Sequence, residues 1–177
     1  MKQSMQVLTS SETQEWYTPP DIIDLVRTVM GGIDLDPASH PVPQEWIQAL
    51  SVFYAGSNAW DIAWVGRVFM NPPYGKTGTR SNQDLWMRKL LSEIYFRRIP
   101  QAIALTKTVP GYKWWDFLFN KGWPGPVCIT QGRIEFISGD GKKKGKSKSA
   151  SSFWYYGPNE KGFTRVFGEI GRVIPYG

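Results

Sequence analysis

A chain of 177 residues is long enough for one domain with its own core, and 41% hydrophobic against 20% charged residues excludes a disordered polyelectrolyte. One cysteine, Cys128, rules out an internal disulfide framework; one histidine, His40, and the lack of any Cys/His cluster at ligand spacing point away from a metal site. Twenty-one Lys and Arg against fifteen acids give a net +6, which favours a polyanionic partner, and nine Trp, eight Tyr and nine Phe supply flat faces for a core or for stacking on bases.

The polar N-terminus, residues 1–14, has no signal-peptide core and reads as flexible, leaving 15–177 as a single domain. Pro19, Pro20 and Asp21 open an amphipathic stretch, Ile22–Met30, whose apolar spacing predicts a helix ended by Gly31-Gly32. Ile33–Asp36 reads as a short strand stopped by Pro37, and Trp46–Phe53 as a short helix. The uncharged stretch Trp46–Trp60 is interrupted by Gln, Ser, Gly and Asn and is too short to span a membrane, so a cytoplasmic protein is expected.

Gly66–Met70 is an apolar strand that runs straight into Asn71-Pro72-Pro73-Tyr74-Gly75, where two prolines force a loop. A loop at Lys76–Ser81 leads to a helix over Asn82–Arg97; a strand at Gln101–Thr106 and a helix at Tyr112–Asn120 follow. Extended segments are predicted at Val127–Thr130, with Cys128 buried, at Arg133–Ile137 and at Ser152–Tyr156, and a last strand in the tail Thr164–Ile174. Strands alternating with helices predict an α/β fold with an open, mostly parallel sheet and flanking helices. Gly139–Lys148 holds Lys142, Lys143, Lys144, Lys146 and Lys148 among glycines and serines with no apolar residue. It reads as a solvated loop able to grip phosphate.

Asn71-Pro72-Pro73-Tyr74 carries the chemistry. An aryl amine is a poor nucleophile because its lone pair is delocalised into the ring. A site that accepts hydrogen bonds from both N–H groups pulls the nitrogen toward tetrahedral geometry and restores electron density. The Asn71 side-chain oxygen can supply one acceptor and the Pro72 carbonyl the other, with Pro73 stiffening the backbone that holds them. Tyr74 offers a face for a base that has left the helix.

In this setting the chain resembles the phage and prophage Dam-like DNA adenine-N6 methyltransferases. The likeness rests on Glu15-Trp16-Tyr17-Thr18-Pro19, Ile33-Asp34-Leu35-Asp36-Pro37-Ala38-Ser39 and Gly66–Gly75 in that order, with weaker matches at Ala104-Leu105, Gly132–Phe136 and Ser149–Ser152. It implies a Rossmann-like class I fold and S-adenosylmethionine as cofactor. Trp16, Tyr17, Thr18 and Pro19 would line the cofactor pocket together with Asn71, and Asp36, Pro37 and Ala38 would form the turn under its methionine end. Asn58 stands where the family often has the Asp of an Asp-Gly-Leu triplet, implying a contact to the cofactor's adenine, and Gln44 lies near a position for the ribose. The chain departs from methyltransferases at large in lacking a glycine-rich turn after Asp36, a trait the small phage enzymes share.

The implied reaction is methyl transfer to the N6 amine of a flipped adenine in double-stranded DNA, in a bacterial host cell. Cytosine N4, an RNA base or a protein glutamine amide presents the same NH2 geometry, and an inactive nucleic-acid-binding relative is the remaining alternative. With no separate recognition domain, Lys76–Ser81 with Arg80, and the five lysines of Gly139–Lys148, are the candidates for reading or gripping DNA.

Overall fold

Gln101–Thr106 and Ser151–Tyr155 are buried at every residue, and these two apolar runs become neighbouring strands at the middle of the main sheet. A computed structural model of the chain describes residues 16–139 and 144–176. In chain order the elements are β1 (Trp16–Tyr17), α1 (Pro20–Met30), β2 (Leu35–Ser39), α2 (Gln44–Ile47), β3 (Ser51–Tyr54), β4 (Arg67–Met70), β5 (Lys76–Thr77), β6 (Arg80–Ser81) and α3 (Asn82–Tyr95). They continue with β7 (Gln101–Lys107), α4 (Lys113–Phe117) running into a π-turn at Leu118–Gly122, β8 (Val127–Thr130), β9 (Glu135–Ser138), β10 (Lys144–Lys146), β11 (Ser151–Tyr156), α5 (Glu160–Phe167) and β12 (Gly171–Ile174).

The main sheet has the order β12-β8-β11-β7-β4-β2-β3. Its first half in sequence, β3-β2-β4-β7, is parallel, while β11, β8 and β12 add antiparallel, so the sheet is mixed. Side chains alternate across it as strand geometry requires. Val68 and Met70 of β4 and Ala102 and Ala104 of β7 join a cluster with Trp86, Met87, Leu90 and Trp114. Phe69, Ile103 and Leu105 face the other way, onto Ile23 and Val26 of α1 and Phe163 and Phe167 of α5. A separate small sheet, β1-β9-β10, is antiparallel.

Several segments differ from the sequence reading, among them Lys76–Ser81, read as a loop, which forms the antiparallel pair β5–β6. Pro37 does not stop a strand at Asp36: it lies inside β2, at a register shift between Asp36 and Ser39 where its missing N–H is tolerated. The helix expected over Trp46–Phe53 ends at Ile47, because Gln48 turns left-handed (φ 50°), and Ser51–Tyr54 pairs parallel with β2 instead. In the tail only Gly171–Ile174 is strand. Thr164–Phe167 completes α5, which Asn159 caps by accepting a hydrogen bond from the Gly162 N–H at 3.1 Å. The expectation for residues 1–14 lies outside the described residues. Cys128 is buried in β8 as read; burial pushes its thiol up to about 12, and the thiol donates to the Phe167 carbonyl at 3.3 Å.

The starts of β2 and β4 are tied by one carboxylate. Asp34 accepts from the Arg67 backbone N–H at 2.7 Å and from its Nε and Nη2 at 2.8 and 2.7 Å. Gly66 enters β4 with φ 77°, and a Cβ there would lie 2.6 Å from Asp34 Cβ, so only glycine fits. The side-chain bond to Arg67 holds the Asp34 carboxyl at about 2 against the opposing effect of burial. A depressed folded value stabilises above the unfolded pKa and is lost as pH falls through the folded one. Acid unfolding should therefore show a loss of up to about 2 kcal/mol between pH 4 and 2 that Asp34→Asn abolishes. Denaturant midpoints for both proteins across that range are the check, and parallel curves would remove the role given to this pair.

Candidate active site

Because β4 and β7 run parallel and in register from Arg67↔Gln101 to Met70↔Ala104, the residues after β4 stand beside the end of β7. Asn71 leaves β4 half-buried, Pro72 is buried, Pro73 is exposed and Tyr74 is half-buried. The loop is pinned from behind by Asn82, whose Nδ2 donates to the Tyr74 carbonyl at 3.1 Å and whose backbone N–H donates to that of Gly75 at 3.0 Å. Thr77 Oγ1 donates to Asn82 Oδ1 at 2.7 Å, and Gly75 takes φ 98°, which suits glycine alone.

The two ends of the Asn71 amide have different fates. Nδ2 donates to the Trp16 carbonyl at 3.3 Å, whereas Oδ1 is buried without a hydrogen-bond partner. Trp16 is positioned by antiparallel pairing with Ser138 of β9 and by packing of its indole over Gly145 of β10, where any Cβ would overlap the ring. Tyr17 stacks on His40 with centroids 5.2 Å apart. Thr18 gives its carbonyl to Trp46 Nε1 at 2.8 Å and leaves a buried, unpartnered Oγ1; Pro19 is buried at the head of α1. Of these four residues Trp16 meets Asn71 directly, through its carbonyl, while Tyr17 and Thr18 contact His40 and Trp46 instead.

Asp36 is 3% exposed. Its Oδ1 accepts from the Ala38 N–H at 3.3 Å and its Oδ2 from Gln44 Nε2 at 2.9 Å. Gln44 also donates to Ser39 Oγ at 2.7 Å and accepts from the Ala49 N–H at 3.0 Å, so its amide braces the β2 turn. Burial pushes the Asp36 carboxyl up to about 7, against hydrogen bonds from Ser39, Ala38 and Gln44 that favour the charged form. Pro37 is buried and Ala38 half-buried at the same turn. Asn58 is exposed and its carbonyl opens a turn to Asp61 and Ile62; no side-chain contact joins it to Asn71 or Asp36 among the described residues.

Arg80 is exposed on the β5–β6 hairpin beside the Tyr74 loop. The lysine-rich segment is not all loop: Lys144–Lys146 pairs with β9, and Lys146 Nζ lies 3.6 Å from a Glu135 carboxylate oxygen. Glycine and lysine pair here because the neighbouring strand supplies the hydrogen bonds and Gly145 admits the Trp16 ring. Lys148 is exposed, while Lys142 and Lys143 lie outside the described residues.

Sequence reasoning missed two residues. Lys107 ends the buried run of β7 and sets its Nζ 4.2 Å from the centroid of the Tyr74 ring. Gln83, 4% exposed, accepts from the Lys107 backbone N–H at 3.4 Å and leaves its own Nε2 unpartnered. A single cation closing an otherwise uncharged strand was the available signal for Lys107; Gln83 gave none. Burial pushes the Tyr74 hydroxyl up to about 12, so the ring stays neutral.

Among the described residues the buried polar side-chain atoms without a partner are Thr18 Oγ1, Asn71 Oδ1, Gln83 Nε2, Trp114 Nε1 and Ser149 Oγ. Each belongs to a segment that enters or leaves the carboxyl end of the parallel strands, counting Ser149, whose neighbour Ala150 accepts from the Thr108 N–H just beyond β7. Orphaned buried groups are rare in folded proteins, and each is explained by an ordered water, an ion, a ligand or a catalytic role.

A family model described as DNA N-6-adenine-methyltransferase (Dam) matches residues 6–159. No curated protein and no solved structure matches the chain.

The Asp36 environment makes a prediction of opposite sign to that for Asp34. Its folded value lies above the unfolded one, so its stabilisation is fully present below about pH 4 and lost as pH rises through about 7. Without ligand, wild-type stability should fall by up to about 1.4 kcal/mol per pH unit across that window relative to Asp36→Asn. Thermal midpoints of both proteins from pH 5 to 7.5 test it; equal slopes would mean that Asp36 is solvated.

Proposed function

The chain belongs to the DNA N-6-adenine-methyltransferase (Dam) family, and on that premise we propose that it transfers a methyl group from S-adenosylmethionine to the N6 amine of an adenine flipped out of double-stranded DNA. The observation that carries the reading is Asn71 Oδ1, a buried acceptor without a donor at the head of Asn-Pro-Pro-Tyr. An incoming exocyclic amine is a donor of matching kind. A second N–H of the same amine finds the Pro72 carbonyl, held by the two prolines before substrate arrives. Accepting both hydrogens, the pair raises electron density on nitrogen as it begins to bond, which favours the transition state over the bound base. Tyr74, neutral and pinned by Asn82, stacks on the extracted ring.

The cofactor fits the residues present. Thr18 Oγ1 awaits a partner, and the Asp36 carboxyl is buried at a turn where a cationic amino group would restore its charge. Trp16, Tyr17, Thr18 and Pro19 would hold the cofactor with Asp36, Pro37, Ala38 and Asn71, and Asn58 would reach its adenine from the exposed loop after β3. When bound, it supplies a methyl group made electrophilic by a sulfonium. Asn71 Nδ2 is already committed to Trp16, one of the residues of the proposed cofactor pocket, which leaves Oδ1 to the amine. Arg80, Lys146 and Lys148, with Lys142, Lys143 and Lys144, would hold backbone phosphates around the base.

The test combines tritiated S-adenosylmethionine, unmethylated plasmid DNA and nucleoside analysis of the product. Wild type should place label in N6-methyladenine, and Asn71→Ala should lose about a hundredfold or more of transfer, the cost of removing one preorganised polar contact, while cofactor affinity changes far less. Equal transfer by both proteins would remove Asn71 from the chemistry, and label in another base or in RNA would reassign the acceptor.

A further inference from the structure

Among the described residues Lys107 is the one cation that the fold brings directly onto Tyr74. Its ammonium lies 4.2 Å from the ring centroid, and among the described residues it has neither a carboxylate nor another hydrogen-bond acceptor. Its own element supplies no anion: Lys107 ends β7, and the neighbouring register positions are Ser151 and Ser152. From α3, Gln83 presents an amide whose oxygen takes the Lys107 backbone N–H at 3.4 Å and whose Nε2 donor is buried and unused. From the segment before β11, the exposed Lys148 adds a second positive charge. Burial, with the Lys148 charge adding to it, lowers the Lys107 pKa. Lys107 therefore sits on the Tyr74 ring with a second ammonium, Lys148, acting on it and the Gln83 amide bound to its backbone, and among the described residues no carboxylate pairs with it.

Such an arrangement is unfavourable in the free protein and becomes favourable when an anion arrives. The ring also offers Lys107 only a provisional partner, since a base stacking on that face of Tyr74 must displace the ammonium. Resting on the proposed function above, we infer that Lys107 is a positioning residue that holds the place of the base on Tyr74 in the free enzyme and moves onto the phosphodiester of the flipped nucleotide, shared with Lys148, when the base enters. The exchange trades a cation–π contact for a charge-assisted one, so base entry and phosphate capture occur together.

The experiment uses the full chain and the plasmid methylation assay with a salt series from about 50 to 200 mM. Lys107→Met keeps the aliphatic stem and removes the charge. KM for DNA should rise about tenfold with kcat within about threefold, the signature of a lost ground-state contact. The slope of log affinity against log salt should become shallower, by up to about 0.9, the value for one whole phosphate. Lys107→Arg should restore both, which a purely structural role would not require. If Lys107→Met fails to fold, Lys148→Met should show the same shallower slope, since the phosphate is shared. Wild-type KM and slope in Lys107→Met, measured beside a wild type that methylates DNA normally, overturn the inference and leave the proposed function standing. A wild type that labels no DNA at all overturns the proposed function first and this inference with it.

Discussion

The site depends on the hydrogen bond from Asn71 Nδ2 to the Trp16 carbonyl. A primary amide has one donor end and one acceptor end, so committing the donor fixes where the acceptor points. The carbonyl that commits it belongs to a two-residue strand with no stability of its own. Trp16 is held there by pairing with Ser138 and by the seat that Gly145 leaves for its indole. The small β1-β9-β10 sheet therefore sets the orientation of an amide that is covalently part of the main sheet. Its outermost strand, Lys144–Lys146, belongs to the lysine-rich segment. The position of that strand and the aim of Asn71 Oδ1 are linked through the pairing of β9, the seat at Gly145 and the Trp16 carbonyl.

How much of this was legible depended on whether local chemistry left the chain a choice. Asn71-Pro72-Pro73-Tyr74 could be read because two prolines exclude both helix and central strand, and an apolar strand just before them sets where the loop must emerge. The helices α1 and α3 were legible from apolar spacing, and α1 from Gly31 as well, which closes it with φ 76°. Trp46–Phe53 was not, since its apolar residues suit a helix face and a strand equally; a left-handed Gln48 decides the matter, and no sequence pattern announces a glutamine there. Pro37 misled because a proline normally ends pairing, and only the register shift of β2 shows why this one does not. In the tail the signals were present, with Asn159 before Gly162 and with Phe163 and Phe167 four residues apart, but β-branched and aromatic residues pulled the reading toward strand. Lys107 and Gln83 became visible only when β4, β7 and α3 were set side by side, because their significance is a distance and not a spacing.

Asp34 and Asp36 stand two residues apart and show how environment divides one side-chain chemistry into two roles. Asp34 faces a guanidinium that returns three hydrogen bonds, so its charge is compensated and the pair locks strand starts together. Asp36 is more deeply buried and meets neutral donors, from Ser39, Ala38 and Gln44, which do not repay the loss of water. A protein that needed Asp36 only to cap a turn would do as well with asparagine. Keeping a carboxyl in a place that pushes it toward neutrality makes sense when a cation completes it. The first aspartate is compensated within the fold, and the second is left without a cation.

The unsatisfied groups are distributed as unevenly as the charges. Elsewhere the protein satisfies polar atoms even at depth: Glu93, with no exposed surface, takes hydrogen bonds from the Trp64 N–H, Lys89 and Arg98, and Trp154 Nε1 finds Thr106 Oγ1 at 2.8 Å. A fold able to do that among its tryptophans is not short of partners. Yet Thr18, Asn71, Gln83, Trp114 and Ser149 each keep a buried atom unpaired, at about 1–3 kcal/mol apiece, all where parallel strands end. Parallel strands need crossovers, and crossovers place loop after loop at one end, so that end is where side chains from distant parts of the chain converge without pairing one another. Occupancy by a ligand would satisfy at that edge what folding alone leaves open, so binding and stability are coupled at the same atoms.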